Sequence, residues 1–372
     1  MRLHYAFPEP LPLPRARGLQ VVQTVRALAE QGIDVELSHV PAPGDPFGAC
    51  DLVKPDNVTL VPLSRSLPRP LDGIHSNRFF AARLARHLAA HPADAIMVRH
   101  LKLARALQER FASIPLLYEA HEVFADTAPE RRRARTARLE RYVVEHAQAI
   151  VANSHATANR LRERYGLARS IQAIPNGVDF RSLIPEKDWA HCAERIVYAG
   201  SFFGWKGVDD LVAAARELPG LRISLFGGDK DSIHRLREQA LAGGAELEFA
   251  GRVSPQRVAQ ALEQACIAVL PNRADADSAF TSPIKLFEYM AAGCAIVASD
   301  LPAVREILAE DEAVWIRPGD AQSLAAGLRR LAADSGLGRA LSARVRAKAR
   351  QYTWARRGID LMQVLQTMVS AA

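Results

Sequence analysis

The segment Thr281–Gly293 (TSPIKLFEYMAAG) sets a lysine and a glutamate three residues apart at the start of a helical pattern. Ser282 is a good N-cap, Pro283 suits the first helical position, and Gly293 fits the position that ends the helix. Such a start leaves free N–H groups and partial positive charge at the helix N-terminus. Lys285 in that turn opposes the dipole. It is a poor structural choice unless an anion is shared with the backbone amides, and phosphate is the natural anion. Glu288 falls on the same face as Lys285, where a carboxylate could accept hydrogen bonds from two ribose hydroxyls. The spacing equally allows an ordinary surface Lys–Glu pair.

A second candidate is Gly200-Ser201-Phe202-Phe203-Gly204-Trp205-Lys206-Gly207, which follows an apolar strand and opens into a helix. Its glycines permit close approach of backbone to a phosphate, and Lys206 adds a point charge. It is no dinucleotide fingerprint, since the glycines do not fall as G-x-G-x-x-G, and a simple loop fits as well. Gly227, in Phe226-Gly227-Gly228-Asp229, ends the next strand and could face a nucleotide base or merely turn the chain.

These groups need elements to hold them. Short apolar runs alternate with amphipathic stretches along the whole chain, which implies parallel strands with helical crossovers. In the first half, strands are predicted at 33–40, 95–99, 115–119, 149–152 and 171–175, with helices at 19–31, 77–91, 129–146 and 155–165. The second half predicts strands at 195–199, 221–226, 247–249, 267–270, 295–298 and 313–316. Its helices are predicted at 208–217, 232–242, 255–265, 283–292, 303–308 and 321–333. The polar stretch 179–193, with Pro185, reads as the linker. The expected architecture is α/β: two Rossmann-like domains facing across a cleft, with ligands beyond the carboxyl ends of the strands.

The 372 residues suffice for about two domains of ordinary size. Composition excludes a disordered tail, a collagen-like repeat and a disulfide scaffold. Net charge is +7, and all of it lies in one half. Residues 1–185 carry 25 Lys+Arg against 18 Asp+Glu, whereas residues 186–372 carry 23 of each. The four cysteines match no metal or redox motif, Cys266 and Cys294 read as buried free thiols, and the set suits a reducing cytoplasm. The N-terminus shows no signal peptide, and no apolar run approaches a transmembrane length, so membrane contact would be peripheral.

Much of the excess charge sits in Glu130–Arg141 (ERRRARTARLER), at the start of a predicted helix. At about 100° per residue, Leu139, Tyr142, Val143 and His146 share a face, Arg135 falls within that arc and Arg133 points away. The run is a solvated helix face or a contact for anionic lipid headgroups or a lipid-diphosphate acceptor. No aromatic-interleaved basic patch or known motif supports nucleic acid as a partner.

Together, YAGSFFGWKGVDDLV, LFGG, FAGRV, VLPNR and SPIKLFEYMAAGCAIVASDLPAVREIL resemble retaining glycosyltransferase family 4, whose members have the GT-B fold and use nucleotide sugars. IPNGVD at 174–179 is similar to the segment that closes the first domain in that family, and YEAHEVF at 118–124 to a first-domain strand and its loop. QYTWARRGIDLMQVL resembles the C-terminal helix that crosses back onto the first domain. The resemblance implies an acceptor-side domain over residues 1–184 plus the helix at about 353–372, and a donor-binding domain over 185–352.

It also implies roles. Glu288 would bind the nucleotide ribose, Lys206 the donor diphosphate, and the amides after Ser282, around Ile284, Lys285 and Leu286, the same diphosphate. His121 would contact the donor sugar, and Gly18, ahead of the first helix, would lie by the diphosphate and acceptor. Ser201, Gly204 and Gly227 join the donor-binding set. Phe280 stands where many members have a second glutamate, and Ser201 where many have an arginine, for which Arg15 or Arg17 could substitute. Arg135 is a candidate acceptor contact. No metal is implied: Asp275-Ala276-Asp277 has the form of a metal motif, but its neighbours resemble a loop in a metal-free family.

The implied reaction moves a sugar from a UDP- or GDP-linked donor to a glycan, lipid-linked or other hydroxyl, with retention, in bacterial glycan or glycolipid synthesis. The donor is a co-substrate and no cofactor is called for. The implied place is the cytoplasm or the inner membrane face. Two other readings remain open: a nucleotide-sugar-binding protein of the same fold with lost or altered activity, which Phe280 and Ser201 favour, and a nucleotide-sugar epimerase.

Overall fold

The computed structural model describes residues 1–13, 15–66, 75–180, 187–240, 244–275 and 284–371. The chain divides into two compact units, Met1–Asn176 with Trp354–Ala372, and Gly177–Thr353. The division falls eight residues before the expected boundary at 184/185. The cause is local: the Val178 N–H donates to the Tyr352 carbonyl at 3.0 Å, and Val178 packs in the second unit's core. The linker residues 181–186 lie outside the described residues.

The first unit holds one parallel sheet: β1 (Arg2–Leu11), β2 (Asp34–Pro41), β3 (Val58–Pro62), β4 (Ala95–Val98), β5 (Leu116–Ala120), β6 (Ala149–Ala152) and β7 (Gln172–Ala173). Its order is β3-β2-β1-β4-β5-β6-β7. The second unit repeats the scheme with β8 (Arg195–Ala199), β9 (Arg222–Phe226), β10 (Glu246–Gly251), β11 (Ile267–Leu270), β12 (Ala295–Ser299) and β13 (Val314–Ile316), in the order β10-β9-β8-β11-β12-β13. Both are doubly wound orders, whose switch point lies between the first strand and its crossover neighbour, here β1/β4 and β8/β11.

Period-two alternation drives burial on both faces. Along β8, Ile196 and Tyr198 pack into one core, and Val197 and Ala199 into the other, across the sheet. Leu3, Tyr5 and Phe7 of β1 share a core with Val21, Val25 and Leu28 of the Ala16–Ala29 helix. The Trp354–Ser370 helix adds Leu361 and Leu365 to that core, so the chain's end belongs to the first unit. Each such leucine contributes about 1.5–3 kcal/mol by burial.

Three expectations are corrected. The first strand is β1, which the apolar pattern did not single out because Pro8 and Pro10 interrupt it. The structure accommodates them by ending the β4 pairing at Ala6 and shifting the β2 register between Phe7 and Pro10. Cys266 is no free thiol: it forms a disulfide with Cys192, whose Cα lies 5.1 Å away, leaving Cys50 and Cys294 free. On the basic helix, Glu130–His146, only Val143 of the expected arc is buried, together with Glu140 and Val144, while Leu139 and Tyr142 are half-buried and His146 is exposed. Glu140 is drawn inward because its carboxylate accepts from the Phe124 and Ala125 amides and the Tyr165 hydroxyl. Among the described residues, no helix is long and apolar enough to cross a membrane.

Candidate functional site

In the second unit, the carboxyl ends of β8, β9, β10 and β11 gather a set of glycine turns. Gly200 N–H donates to the Phe226 carbonyl at 2.9 Å, and Gly227 N–H to the Gly251 carbonyl at 2.7 Å. Gly227 has φ +124°, and an added Cβ would lie 1.8 Å from the Gly200 oxygen, so only glycine fits this crossing. The Arg273 N–H donates to the Trp205 carbonyl at 2.8 Å, tying the loop after β8 to the loop after β11 across the switch point. Arg273 also grips Asp210 with two bonds of 2.7 and 2.6 Å.

Lys206 closes the short 3-10 turn Gly204–Lys206 in this loop. Its ammonium stacks over the Trp205 ring at 3.9 Å. Among the described residues no carboxylate pairs with it. Burial pulls the ammonium down to about 8, so it stays charged at neutral pH without a counter-ion. Gly204 is exposed, and its missing side chain leaves open space, which lets a ligand approach the backbone. Ser201 lends its carbonyl to the Tyr198 hydroxyl at 2.8 Å.

The Ile284–Ala291 helix follows β11. Tyr289 pins it to the end of β8, its hydroxyl accepting from Ala199 N–H at 2.8 Å and donating to the Ala199 carbonyl at 3.2 Å. Ile284 and Leu286 are buried in the first turn, and Gly293 ends the segment at φ +67°. Lys285 and Glu288 meet at 2.6 Å on one face, as their spacing allows, so each occupies the other. Ser282, Phe280 and Asp277 lie outside the described residues.

The first unit's site residues lie by its own switch point. His121 follows β5 and is nearly buried. Its Nε2 is 3.0 Å from Glu119 Oε1. Glu119 also accepts from Tyr5 at 2.5 Å, from Gln20 at 2.8 Å and from Arg357 of the C-terminal helix. Arg99, after β4, donates to Gln20 at 2.7 Å. Burial works against the Glu119 carboxylate, but His121, Arg357 and Arg99 more than offset it and hold the group well below the usual range. Burial, then the charge of Arg99, lowers His121 to about 4, so its ring is neutral at pH 7. A neutral imidazole here can position a hydroxyl but lacks the imidazolium proton that a general acid would give.

Gly18 sits inside the first turn of the Ala16–Ala29 helix rather than ahead of it. The chain there folds back so closely that an added Cβ would lie 2.4 Å from the Leu13 carbonyl oxygen. Arg15 is exposed at the helix start, Arg17 pairs with Glu9 at 2.7 Å, and Arg135 is exposed on the basic helix. Sequence reasoning missed Glu119, Gln20, Arg99, Arg357 and Arg273. Only two gave a signal: Glu119 is a carboxylate inside an apolar strand, and Arg357 a cation inside the apolar stripe of Trp354, Gly358, Leu361 and Leu365.

The sequence matches two family models: "Glycosyltransferase Family 4" over residues 18–181 and "Glycosyl transferases group 1" over residues 193–334. It is 33% identical over 208 residues to a phosphatidyl-myo-inositol mannosyltransferase of Mycolicibacterium smegmatis, covering 53% of this chain and 52% of that protein. The chain thus spans about half the length of the mannosyltransferase relatives it matches. A D-inositol 3-phosphate glycosyltransferase of Jonesia denitrificans is 25% identical over 400 residues, covering 95% of this chain and 92% of that one. Among solved structures, a sucrose-phosphate synthase from Thermosynechococcus elongatus superimposes with TM-score 0.81 at 19% identity, covering 100% of both chains, which shows the shared GT-B fold. Two models that match successive halves in family order, on that fold, show that the chain belongs to the family 4 glycosyltransferases.

Proposed function

We propose that this protein transfers a glycosyl group from a nucleoside diphosphate sugar to an acceptor hydroxyl, with retention. The observation that carries the reading is Lys206: a half-buried cation stacked on Trp205, without a carboxylate partner among the described residues, at the strand ends of the second unit. The barrier to such a transfer is charge building on the departing diphosphate as the sugar carbon turns oxocarbenium-like. Preorganised donors aimed at that charge are worth roughly 3–4 kcal/mol each. Lys206 and the first amides of the Ile284–Ala291 helix take this role. Glu288 binds the ribose once Lys285 turns to the phosphates. On the retained face the departing phosphate takes the acceptor proton, and neutral His121 positions the sugar.

The acceptor belongs to the basic first unit. The name of the mannosyltransferase relative gives it a phosphatidylinositol acceptor, and Arg131, Arg132, Arg133, Arg135 and Arg138 are exposed on one helix here. An anionic lipid-borne acceptor fits both, at about 1 kcal/mol per basic side chain near a charged surface. Loss of vesicle binding in low salt would remove that part alone.

The test is turnover with a panel of UDP- and GDP-linked sugars and lipid acceptors, the product anomer read by NMR. Retained configuration supports the reading. Donor binding without transfer would favour a binding protein, and turnover without acceptor an epimerase. Glu288→Ala should weaken nucleoside diphosphate binding at least about tenfold by calorimetry.

A further inference from the structure

Three side chains of the first unit lie together at the amino ends of its strands, the opposite end from His121. His4 of β1 and Glu36 of β2 are register partners on one face of the sheet. His87 reaches them from the last turn of the Asn77–Ala90 helix. Glu36 Oε2 is 3.3 Å from His4 Nδ1 and 2.7 Å from His87 Nε2, and the three donor atoms all lie within 4.8 Å of one another. His4 is fully buried, whereas Glu36 and His87 are each 18% exposed, which leaves a path inward.

The hydrogen atoms around His4 do not settle the cluster by themselves. His4 Nε2 is 3.0 Å from Ser38 Oγ, and that hydroxyl donates to the Tyr5 carbonyl at 3.5 Å. With the ring proton on Nε2, Ser38 accepts it and Nδ1 presents a lone pair beside the Glu36 carboxylate oxygen 3.3 Å away, where a cation can bind both. The helix end beside His87 favours a cation, because the macrodipole is negative there. Ser38 meanwhile plays the outer-sphere part typical of a metal-bound imidazole, orienting the ring through its other nitrogen.

We propose that His4, Glu36 and His87 form a structural binding site for a zinc-type divalent cation. Two imidazoles and one carboxylate suit zinc in donor type. Bonds of about 2.0–2.1 Å in tetrahedral array require donors roughly 3.3 Å apart, so a small side-chain adjustment admits the ion, with water in the fourth position. The ion would clamp β1, β2 and the Asn77–Ala90 helix together. It takes no part in transfer at the other end of the strands.

The test uses the full chain, stripped with EDTA and titrated with zinc chloride and, separately, cobalt chloride. One equivalent of zinc per chain is expected, with a rise in melting temperature and the intense visible absorption of low-coordinate cobalt. His87→Ala and Glu36→Gln should each weaken zinc binding at least about tenfold, while His91→Ala, whose ring stacks on His87 at 4.5 Å and lies 3.3 Å from its carbonyl through Nδ1 but offers the cluster no ligand atom, should keep the full equivalent. His87 is partly exposed, so its variant is expected to fold, and circular dichroism checks this. A wild-type chain that binds no equivalent, with a proton filling the cluster, overturns the proposal. So does an equivalent that survives His87→Ala undiminished.

Discussion

Lys206 is held where its surroundings oppose its charge, and that opposition can be read in pH. Burial lowers the ammonium to about 8, so the free enzyme loses this cation as pH rises through 8. The expected kcat/KM for donor falls above that pH, Lys206→Ala costs at least about tenfold at pH 7, and Lys206→Arg removes the alkaline limb. A limb unchanged in the arginine variant would detach Lys206 from the diphosphate. A histidine gives the opposite window. His100 Nδ1 accepts the Leu103 N–H at 3.3 Å and so caps the Leu101–Arg110 helix as a neutral ring. Burial, then the charge of Lys102, lowers it to about 4. Above its unfolded value of about 6.5 the proton count is equal in both states. Below it the unfolded chain takes the proton first, so stability falls by about 1.4 kcal/mol per pH unit for such a group until pH 4. His100→Asn keeps a cap acceptor without the titration. Urea midpoints measured from pH 7 to 5 should therefore flatten, and an unchanged slope would contradict the assignment.

At the scale of elements, the strand-end turns are built on backbone contact more than on side chains. Gly227 shows this best, since it carries only a hydrogen where an added Cβ would lie 1.8 Å from the Gly200 carbonyl oxygen. Gly227→Ala should cost at least about 2 kcal/mol and loosen donor binding, and a variant with wild-type melting and affinity would refute that tight crossing. This level of structure was largely legible in sequence. Apolar runs marked most strands of the second unit, and Gly200, Gly227 and Gly293 marked where chain direction changes. What was not legible has physical causes. The prolines of β1 break the apolar run, and are tolerated only because its neighbours stop pairing at Ala6 and slip beyond Phe7, facts of the partner strands. Cys192 and Cys266 sit 74 residues apart, and nothing in their local runs announces that Trp189–Cys192 ends beside β11. Glu140 looks like one more charge on a basic helix until the Phe124 and Ala125 amides need an acceptor.

At the scale of the molecule, the chain leaves its first unit at Asn176 and returns to it at Trp354. The return is secured by one buried charge pair as well as by leucines. Arg357 donates to Glu119, 238 residues earlier in the chain, and also to the carbonyls of Ile174 at 2.6 Å and Pro175 at 3.0 Å. The C-terminal helix therefore holds both the strand that leads to His121 and the segment where the chain departs. Both members of the pair are 2% exposed. At that depth removing one partner strands the other's charge, at a cost of about 3–5 kcal/mol. Arg357→Met should lose that much in urea unfolding, because Glu119 keeps Tyr5 and Gln20 as donors and Arg99 nearby but loses the one cation among the described residues that touches it. Glu119→Gln in the Arg357→Met background removes the orphaned carboxylate, so the double variant should be more stable than the summed single losses by at least about 1 kcal/mol. It should not recover activity, since His121 then lacks the carboxylate 3.0 Å from its Nε2. Strictly additive losses would mean that Arg357 acts through its stem and the carbonyls alone, and that the charge pair does not hold the helix.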